Sequence, residues 1–355
     1  MNFAEPQRLE IFTSVDDLPP DALALLNDGP FSSPAWWRCV EREALPPGTS
    51  PAYIISRIRG RPAAILPLAR TRDGCASLTT PYSCAFPILL APGLAQSQAT
   101  PALTAIARLL RHHPAVRFEA LDPAAPATQA LMLAARRAGL LALTFDHFGN
   151  WHEPVAGRGW AAYLADRPGA LRETIRRRLR RIERQGNVTL TMIDGPNGVD
   201  AGIAAYEAVY ARSWKEPEPF PRFNAALMRA LAPAGSLRLG ILSATGTPIA
   251  AQFWIVSDGK ATVLKLAHDE AFKPLSPGTV LTALMIRRLL EHDRATELDF
   301  GRGDDEYKQG WVRQRRQFVG CLLLNPLSPT AWPHLARHAA GRLLAASERK
   351  RNEGS

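Results

Sequence analysis

Apolar runs alternate with helical repeats along the whole chain, and this pattern predicts a mixed α/β fold. In the first half we expect strands at 9–15, 52–59, 63–69, 116–121 and 140–145, and helices at 34–43, 101–111 and 127–138. In the second half we expect strands at 237–243, 249–256, 261–267 and 297–300, and helices at 171–185, 201–214 and 279–291. Ser32 or Ser33 before Pro34 is typical of a helix start.

The two halves repeat the same order of elements. Gly60-Arg61-Pro62 and Gly246-Thr247-Pro248 each separate two strand-like runs, and each hairpin is followed by a helix and a short strand with acidic residues. Shared order of this kind predicts a duplicated α/β unit. We expect one domain over 1–165, a second over 166–330, and a basic helical tail over 331–355.

The composition predicts a folded protein with an anionic partner. Of the 355 residues 46% are hydrophobic, which excludes a mostly disordered chain. Lys and Arg number 43 against 33 Asp and Glu, so the formal net charge is +10. A basic excess favours nucleic acid, an acidic membrane face or a phosphate-rich ligand. The sequence has no uninterrupted apolar stretch near about 18 residues and no signal pattern at its start, so we expect no transmembrane helix.

The four cysteines do not have the spacing of a metal site or a dense disulfide framework. They are Cys39, Cys75, Cys84 and Cys321, and no two form a C-x-x-C pair. Reduced thiols in a cytoplasmic protein are the simplest interpretation, and no metal is expected. Contact with the inner membrane face stays open.

Residues 171–185 predict an arginine-rich helix with one apolar face. Its arginines are Arg172, Arg176, Arg177, Arg178, Arg180, Arg181 and Arg184. The helix could be a solvated connection between domains. Alternatively, arginines such as Arg178 could bind phosphates or an acidic bilayer, because guanidinium pairs with phosphate bidentately. Nucleic acid is a weaker alternative, because no nucleic-acid motif accompanies the run.

Two further segments place polar residues at strand ends. The strand at 261–267 is followed by His268 and Asp269, and Ser276-Pro277-Gly278 then opens a helix, whose free amides could bind an anion. An ordinary capped helix is the alternative. The strand at 297–300 leads into a polar cluster that suits ligand contact or a simple helix start, namely Asp299, Arg302, Asp304, Asp305, Glu306, Tyr307 and Lys308.

A proline-rich loop carries aromatic residues between two helical regions. Trp214 and Lys215 end the helix at 201–214, and Phe220 and Phe223 follow. These aromatics could form the wall of a pocket for an apolar chain or a sugar. Packing in the core is an equally good interpretation.

Four stretches in order carry a family resemblance: SWKEPEPF, GTPIAAQFW, KLAHDEAFKPLSPGTVL and LDFGRGDDEYKQGW. Together they resemble the CelD/BcsL-type acetyltransferase domain of the GNAT superfamily, on the side similar to FemAB aminoacyltransferases. The resemblance covers roughly 172–318 and is faint before that. It implies an α/β fold of two tandem GNAT-like units, each a mixed central sheet flanked by helices. It also implies acyl transfer from an activated carrier, usually a coenzyme A thioester, to a primary amine.

The resemblance also implies roles for single residues. The donor is expected to bind to Ser276, Gly278, Thr279 and Lys308. His268 is expected to act as the general base, with Asp304 as a rival base. Lys265 is expected to stabilise the developing charge. Asp269 and Asp299 are further rival bases. Trp214, Lys215, Asp299, Tyr307 and Arg178 are expected to contact substrate.

The donor and the acceptor stay open at this stage. The usual Q/R-x-x-G-x-G/A phosphate loop is absent, so acyl-CoA, an acyl carrier protein and aminoacyl-tRNA are all candidate donors. The leading hypothesis is an acyl-CoA-dependent N-acyltransferase without a permanently bound cofactor. Its acceptor would be a sphingoid base, giving a ceramide-type lipid, or an amino sugar of an exopolysaccharide precursor. The alternatives are an inactive GNAT-like nucleotide- or CoA-binding regulator of polysaccharide synthesis and a tRNA-dependent aminoacyltransferase. The first unit is expected to be non-catalytic and to form one wall of the acceptor cleft.

Overall fold

The computed structural model describes residues 7–26, 29–72 and 74–337. The strands of the first half are β1 (Arg8–Phe12), β2 (Ser50–Ile58), β3 (Arg61–Arg70), β4 (Cys75–Ser77), β5 (Leu89–Leu90), β6 (Ala115–Leu121) and β7 (Leu141–Pro154). Its helices are α1 (Pro20–Leu23), α2 (Pro34–Glu43), α3 (Gln96–Leu110), α4 (Pro126–Arg137) and α5 (Trp160–Ala165).

The second half has the same alternation of elements. Its helices are α6 (Gly169–Gln185), α7 (Val199–Ala211), α8 (Phe223–Leu231), α9 (Pro277–Glu291) and α10 (Lys308–Trp311). Its strands are β8 (Val188–Ile193), β9 (Leu237–Ala244), β10 (Thr247–Ser257), β11 (Lys260–His268), β12 (Glu297–Arg302) and β13 (Gln314–Leu324).

One mixed sheet joins the two halves. Its strand order is β1-β2-β3-β4-β6-β13-β7-β12-β11-β10-β9-β8, and β5 pairs with β3. Among the strand pairs of the described residues, only β4–β6 and β11–β12 are parallel. Each half places its last strand beside the other half: β13 lies next to β6, and β7 lies next to β12. The two exchanged strands pair antiparallel from Gln314–His152 to Leu324–Leu141. Neither half therefore completes its sheet alone.

The hairpin that repeats in the sequence has the same turn in both halves. Arg59-Gly60 has φ values of 51° and 76°, and Thr245-Gly246 has φ values of 47° and 82°. Two consecutive residues in the left-handed region are typical of a type I′ turn, which matches the twist of the flanking strands. Glycine takes the second position because it adopts positive φ without steric cost.

The repeated proline also marks an equivalent backbone irregularity. Pro62 pairs with a residue of β2, the next residue Ala63 has no partner, and the register continues at the following alanine. In the second half Pro248 is paired, Ile249 is left without a partner, and the register again continues one residue later. A proline cannot donate to the ladder, and a bulge beside it is a common accommodation. The duplication expected from the sequence is therefore present in the backbone.

The elements with clear local signals were predicted well. Helix α2 spans Pro34–Glu43 as expected, and the Ser33 hydroxyl accepts a hydrogen bond from the Trp36 amide. One helix start was wrong: α3 begins at Gln96, so Pro101 lies inside the helix rather than at its first turn. Strands β4, β5, β8 and β13 and helices α1, α5, α8 and α10 were not predicted.

The hydrophobic core crosses from one half to the other. The largest cluster contains buried residues of α2, α3 and α4 together with residues of α7 and α8. Phe223 of α8 contacts Trp36 of α2 edge-on at 5.4 Å between ring centroids and stacks on Tyr82 at 4.4 Å. A second cluster packs α9 against the opposite face of the second half's sheet. The first half is therefore part of the surroundings of any site in the second half.

The domain limits stay predictions. The division into 1–165 and 166–330 separates the two sets of helices, but β7 and β13 each lie among strands of the other half. Of the tail at 331–355, the structure describes residues up to 337, and the rest of the predicted helix lies outside the described residues.

A buried charge network connects the four strands where the halves meet. The carboxylate of Asp299 on β12 accepts hydrogen bonds from Asn150 on β7 at 2.7 Å and from Arg316 on β13 at 2.7 Å, and it pairs with Lys260 on β11 at 2.7 Å. Asp299 is 3% exposed. Burial by itself would raise the pKa of Asp299, but Lys260 and Arg316 outweigh it and hold the pKa below its usual range. The structure therefore places Asp299 in the seam with both carboxylate oxygens engaged by protein groups, and the roles predicted for it as base and as substrate contact stay predictions.

We predict that Asp299→Ala lowers the free energy of unfolding by about 3 kcal/mol, because it leaves cations without their buried partner. The matched control is Asp304→Ala, which removes an exposed ion pair with Arg315 and should cost about 1 kcal/mol or less. Urea denaturation followed by tryptophan fluorescence measures both. Equal stability of the two variants would contradict this role.

The same network gives a pH dependence. The pKa of Asp299 is lower in the folded chain than its ordinary value. Its stabilisation is therefore complete above about pH 4 and is lost as the pH falls through the folded-state pKa.

Candidate functional site

A gap opens in the sheet between the parallel strands β11 and β12. The two strands pair only from Lys260–Glu297 to Thr262–Asp299, and β11 then continues to His268 without pairing to β12. Leu264 has no partner on β10, since Val263 and Lys265 pair with consecutive residues there. Such a bulge bends a strand and directs it away from its neighbour. The edge of β11 beyond the bulge can therefore pair with an extended ligand that carries amide groups.

A loop of the first half, residues 78–88, packs against this gap. A Cβ on Gly301 of β12 would lie 3.4 Å from the sulfur of Cys84 and 2.6 Å from the carbonyl oxygen of Val263. Gly301 has φ +64°, so only glycine fits this close approach without strain. Tyr82 of the same loop lies beneath Lys265, with 4.7 Å from the ammonium nitrogen to the ring centroid. The first half thus forms one wall of the cleft around the gap.

A carboxylate and a lysine form the polar centre of the cleft. Lys265 on β11 pairs with Glu218 at 2.7 Å, and the side chain of Glu218 is 10% exposed. Burial by itself would raise the pKa of Glu218, but the nearby ammonium of Lys265, together with the hydroxyls of Tyr210 and Tyr82, holds it below its usual range. Glu218 is therefore ionised at neutral pH in a largely desolvated position. The Tyr82 hydroxyl donates its proton to the Phe220 carbonyl at 3.2 Å, which fixes the loop that carries Glu218.

Lys215 lies near Lys265 and Glu218, and its predicted contact with substrate stays a prediction. Burial lowers the pKa of Lys215, and the nearby charge of Lys265 lowers it further, while Glu218 and Asp305 oppose the shift. Its neighbour Trp214 is 51% exposed. The pair provides an apolar surface and a cation at the mouth of the cleft.

His268 lies at the far end of β11, beside the start of α9. Its ring centroid is 4.5 Å from that of Trp214, and its Nδ1 is 3.4 Å from where a Cβ on Gly278 would lie. Its Nε2 is 3.4 Å from a carboxylate oxygen of Glu270. Burial lowers the pKa of His268, so the imidazole is neutral near pH 7 and can accept a proton.

The start of α9 has the free amides that the sequence suggested. Ser276 has φ +54° and makes no capping hydrogen bond through its side chain. Pro277 is the first helical residue and has no N–H, so Gly278 and Thr279 present the first amides of the helix. The rival base Asp269 is already engaged, since it pairs with Arg212 at 2.6 Å and accepts from the Ala271 amide at 3.0 Å.

Lys308 and Asp304, two other predicted site residues, already have intramolecular partners. Lys308 is 3% exposed, and its ammonium donates to the carbonyls of Arg302 and Gly303 and pairs with Asp305 at 2.9 Å. A phosphate would have to displace one of these contacts. Asp304 accepts two hydrogen bonds from Arg315 and one from the Trp151 indole. These donors, Arg315 first, hold the pKa of Asp304 below its usual range.

Two predicted substrate contacts remain open to solvent or to a cavity. Tyr307 is 45% exposed. Arg178 lines a cavity of about 170 Å³ between α6 and the start of α9. The roles predicted for both residues stay predictions.

Sequence reasoning missed Glu218, Tyr82 and Tyr210. Glu218 lies between two prolines in a loop, where an exposed turn is the ordinary interpretation. Tyr82 comes from the half that was expected to be non-catalytic. No local pattern connects these residues, because Glu218 meets Lys265 only when its loop folds against β11, and Tyr82 reaches Lys265 only when the two halves pack together.

In the described ranges no three His, Cys, Asp or Glu side chains gather in a way that could hold a metal ion. None of the helices described is both long enough and apolar enough to cross a membrane.

Comparison with known proteins gives a match to one domain model over part of the chain and several similar folds. Residues 169–309 match the model of the acetyltransferase (GNAT) domain. No curated protein matches the sequence. The fold is similar to that of FemX, with 12% identity and a TM-score of 0.59 over 89% of this chain and 98% of that chain. It is also similar to a tandem GNAT protein from the clavulanic acid biosynthesis pathway, with 13% identity and a TM-score of 0.50 over 90% and 100%. L-PGS from Bacillus licheniformis gives 12% identity and a TM-score of 0.50 over 77% and 85%.

These likenesses confirm the expected fold of two tandem GNAT-like units. The family match begins near the start of α6 and overlaps most of the stretch in which the motifs were found. The resemblance is therefore confirmed at the level of a GNAT-type domain in a FemX-like fold. At 12–13% sequence identity, the similarity to these solved structures is evidence for a shared fold and not for a shared activity.

We predict that the cysteines of the native protein are unreactive. All four are buried, and burial raises the pKa of Cys84 and Cys321 to about 12 and of Cys39 and Cys75 to about 11. Titration with DTNB at pH 8 should modify less than one thiol per chain within minutes, and four after denaturation. Rapid loss of Cys84 in the native protein, absent in Cys84→Ser, would show that this thiol is open to the gap.

Proposed function

We propose that the protein is a GNAT-type N-acyltransferase that moves an acyl group from acyl-CoA to a primary amine. The observation that carries the proposal is the gap between β11 and β12, which opens beside the ionised, desolvated Glu218 and the ammonium of Lys265. The GNAT family match over the same strands supports it.

The donor would lie in the gap in one orientation, with its phosphates at the start of α9 and its arm along β11. The phosphates of CoA would bind near the first amides of α9, at Gly278 and Thr279, where the positive end of the helix dipole favours anions. The amide groups of its arm would pair with the free edge of β11. An arm extended along β11 from this end runs past His268 toward the bulge at Leu264. The thioester is thereby brought closer to Lys265 than to His268.

The acceptor amine enters from the side of the loop between α7 and α8. The amine nitrogen attacks the thioester carbon, and the negative charge that develops on the carbonyl oxygen is stabilised by Lys265. The C–S bond then breaks, CoA leaves as the thiolate, and the nitrogen loses a proton. Glu218 takes that proton, directly or through one water, and then gives it up to the thiolate, which becomes the thiol of CoA. We prefer Glu218 to His268 as the base because of the direction of the donor.

The acceptor class follows from the surface of the cleft. Trp214 is an exposed aromatic side chain with the ammonium of Lys215 5.6 Å from its ring centroid, and Tyr307 is a second exposed aromatic side chain. Such a surface accommodates an alkyl chain or a sugar ring, each carrying an amine. A CelD/BcsL-type enzyme acting on a sphingoid base or on an amino sugar of an exopolysaccharide precursor has this requirement, and both acceptors belong to the cell envelope.

Aminoacyl transfer from tRNA is the second candidate. The exposed arginines of α6 favour it, since their side chains form no ion pair within the described residues. RNA binding that weakens steeply with salt would support this candidate.

We predict that Glu218→Gln lowers kcat about 100-fold or more, with the donor KM within about threefold, because the base is lost and the donor site is intact. His268→Ala should mainly raise the donor KM. Release of CoA thiol from acetyl- or palmitoyl-CoA, with sphinganine or glucosamine as acceptor, measures both. If instead His268→Ala lowers kcat and Glu218→Gln mainly raises the donor KM, then His268 is the general base.

The acceptor itself is identified in the cell. Mass spectrometry of lipids and polysaccharide from a deletion strain should show the loss of one N-acylated species, restored by the wild-type gene and not by Glu218→Gln. If the purified protein neither releases thiol nor binds acyl-CoA in calorimetry, the acyltransferase assignment is wrong.

A further inference from the structure

The cavity beside α9 is built from both polar and apolar groups. It has a volume of about 170 Å³ and lies between α6, the ends of β8, β9 and β10, and the segment that leads into α9. Its polar lining comes from Arg178, Arg181 and Asn187, and its apolar lining from Ile182, Val188, Leu242, Ala244, Ile249, Leu275, Pro277 and Val280. A volume of this size holds a phosphate group together with a small apolar substituent.

The two arginines of the cavity have no anionic partner. Within residues 7–26, 29–72 and 74–337 neither Arg178 nor Arg181 forms an ion pair, whereas other arginines of the second half do, such as Arg212 with Asp269 and Arg238 with Asp293. The Nε of Arg178 is buried and has no hydrogen-bond acceptor. A buried guanidinium N–H without an acceptor costs free energy, and a ligand that supplies one recovers it.

The cavity adjoins the end of the gap. Pro277 belongs to its lining, the next residue is Gly278, and Gly278 lies against His268 at the end of β11. The segment offers one glycine where the usual phosphate loop has two, so fewer backbone amides can approach a phosphate. Guanidinium groups from α6 can supply the missing hydrogen bonds, because each presents paired N–H donors to phosphate oxygens.

We infer that Arg178 and Arg181 form a phosphate-binding site for the donor. These two arginines of α6 bind the donor's phosphate oxygens, which the backbone amides of the phosphate loop bind in simpler enzymes of this fold. The identity of the donor rests on the proposed function, whereas binding of a phosphate ester in this cavity does not. The bound phosphate could belong to the diphosphate of CoA or to the phosphodiesters at the end of an aminoacyl-tRNA, and the experiment separates these sources.

The test is calorimetric titration of the full chain with CoA, with pantetheine, with inorganic pyrophosphate and with a short RNA ending in CCA. Arg178→Gln and Arg181→Gln should each weaken CoA binding about 10-fold or more, which corresponds to the loss of a hydrogen bond to a charged group. Pantetheine has no diphosphate, so its weaker binding should be unchanged in both variants. The matched control is Arg177→Gln, which removes the same charge from the exposed face of α6 and should change CoA affinity less than about twofold.

A structural role for Arg178 predicts a different result. Since its Nε has no acceptor in the protein, Arg178→Met should leave the melting temperature of the ligand-free chain unchanged or raised, and only the stabilisation by added CoA should shrink. A lower melting temperature without ligand, or equal losses of CoA affinity in Arg177→Gln and Arg178→Gln, would overturn the inference.

The outcomes also separate this site from the proposed function. If RNA binds through Arg178 and Arg181 and CoA does not, the phosphate site stands and acyl-CoA is the wrong donor. If CoA binds through the two arginines but no amine is acylated, the site stands and the transferase assignment fails. If neither CoA, pyrophosphate nor RNA binds the wild type, the inference is wrong.

Discussion

The antiparallel pairing of β7 with β13 is the constraint on which the rest of the structure depends. Because each half gives its last strand to the other, the two units share one sheet and cannot separate without breaking the backbone hydrogen bonds of both. The buried carboxylate of Asp299 reinforces the exchange, since its partners Asn150, Arg316 and Lys260 come from three other strands. The seam next to the candidate site is held by charge as well as by packing.

The exchange also explains how two similar units come to have different roles. In the second half β11 is nine residues long and extends beyond its parallel neighbour, so a gap is left. In the first half the equivalent strand β4 has three residues, and the chain then leaves the sheet as the loop 78–88. That loop brings Tyr82 beneath Lys265 in the other half. A duplicated unit with a shortened strand can thus act as a wall for its partner.

The arginines of the second half fall into two groups, those with an ionic partner and those without one. The arginines near the start of β13 are engaged: Arg315 with Asp304, Arg316 with Asp299 and Arg313 with Asp166. The arginines of α6 form no such pairs in the part of the chain that the structure describes, and Arg178 presents its guanidinium to a cavity. Helix α6 is therefore one place where the excess charge that suggested an anionic partner is not paired with the protein's own carboxylates.

The sequence by itself determined the features that depend on neighbouring residues. Periodicity, caps and turn glycines located α2, the hairpins and the start of α9 near Pro277, and the repeated Gly-x-Pro pattern revealed the duplication, because the forces that set these features act over a few residues. Only the tertiary structure decided which polar groups meet. Glu218, Lys265 and Tyr82 lie far apart along the chain, and Lys308 and Asp304 carry the same charges whether free or paired. Their roles depend on burial and on partners that only the folded chain brings into contact.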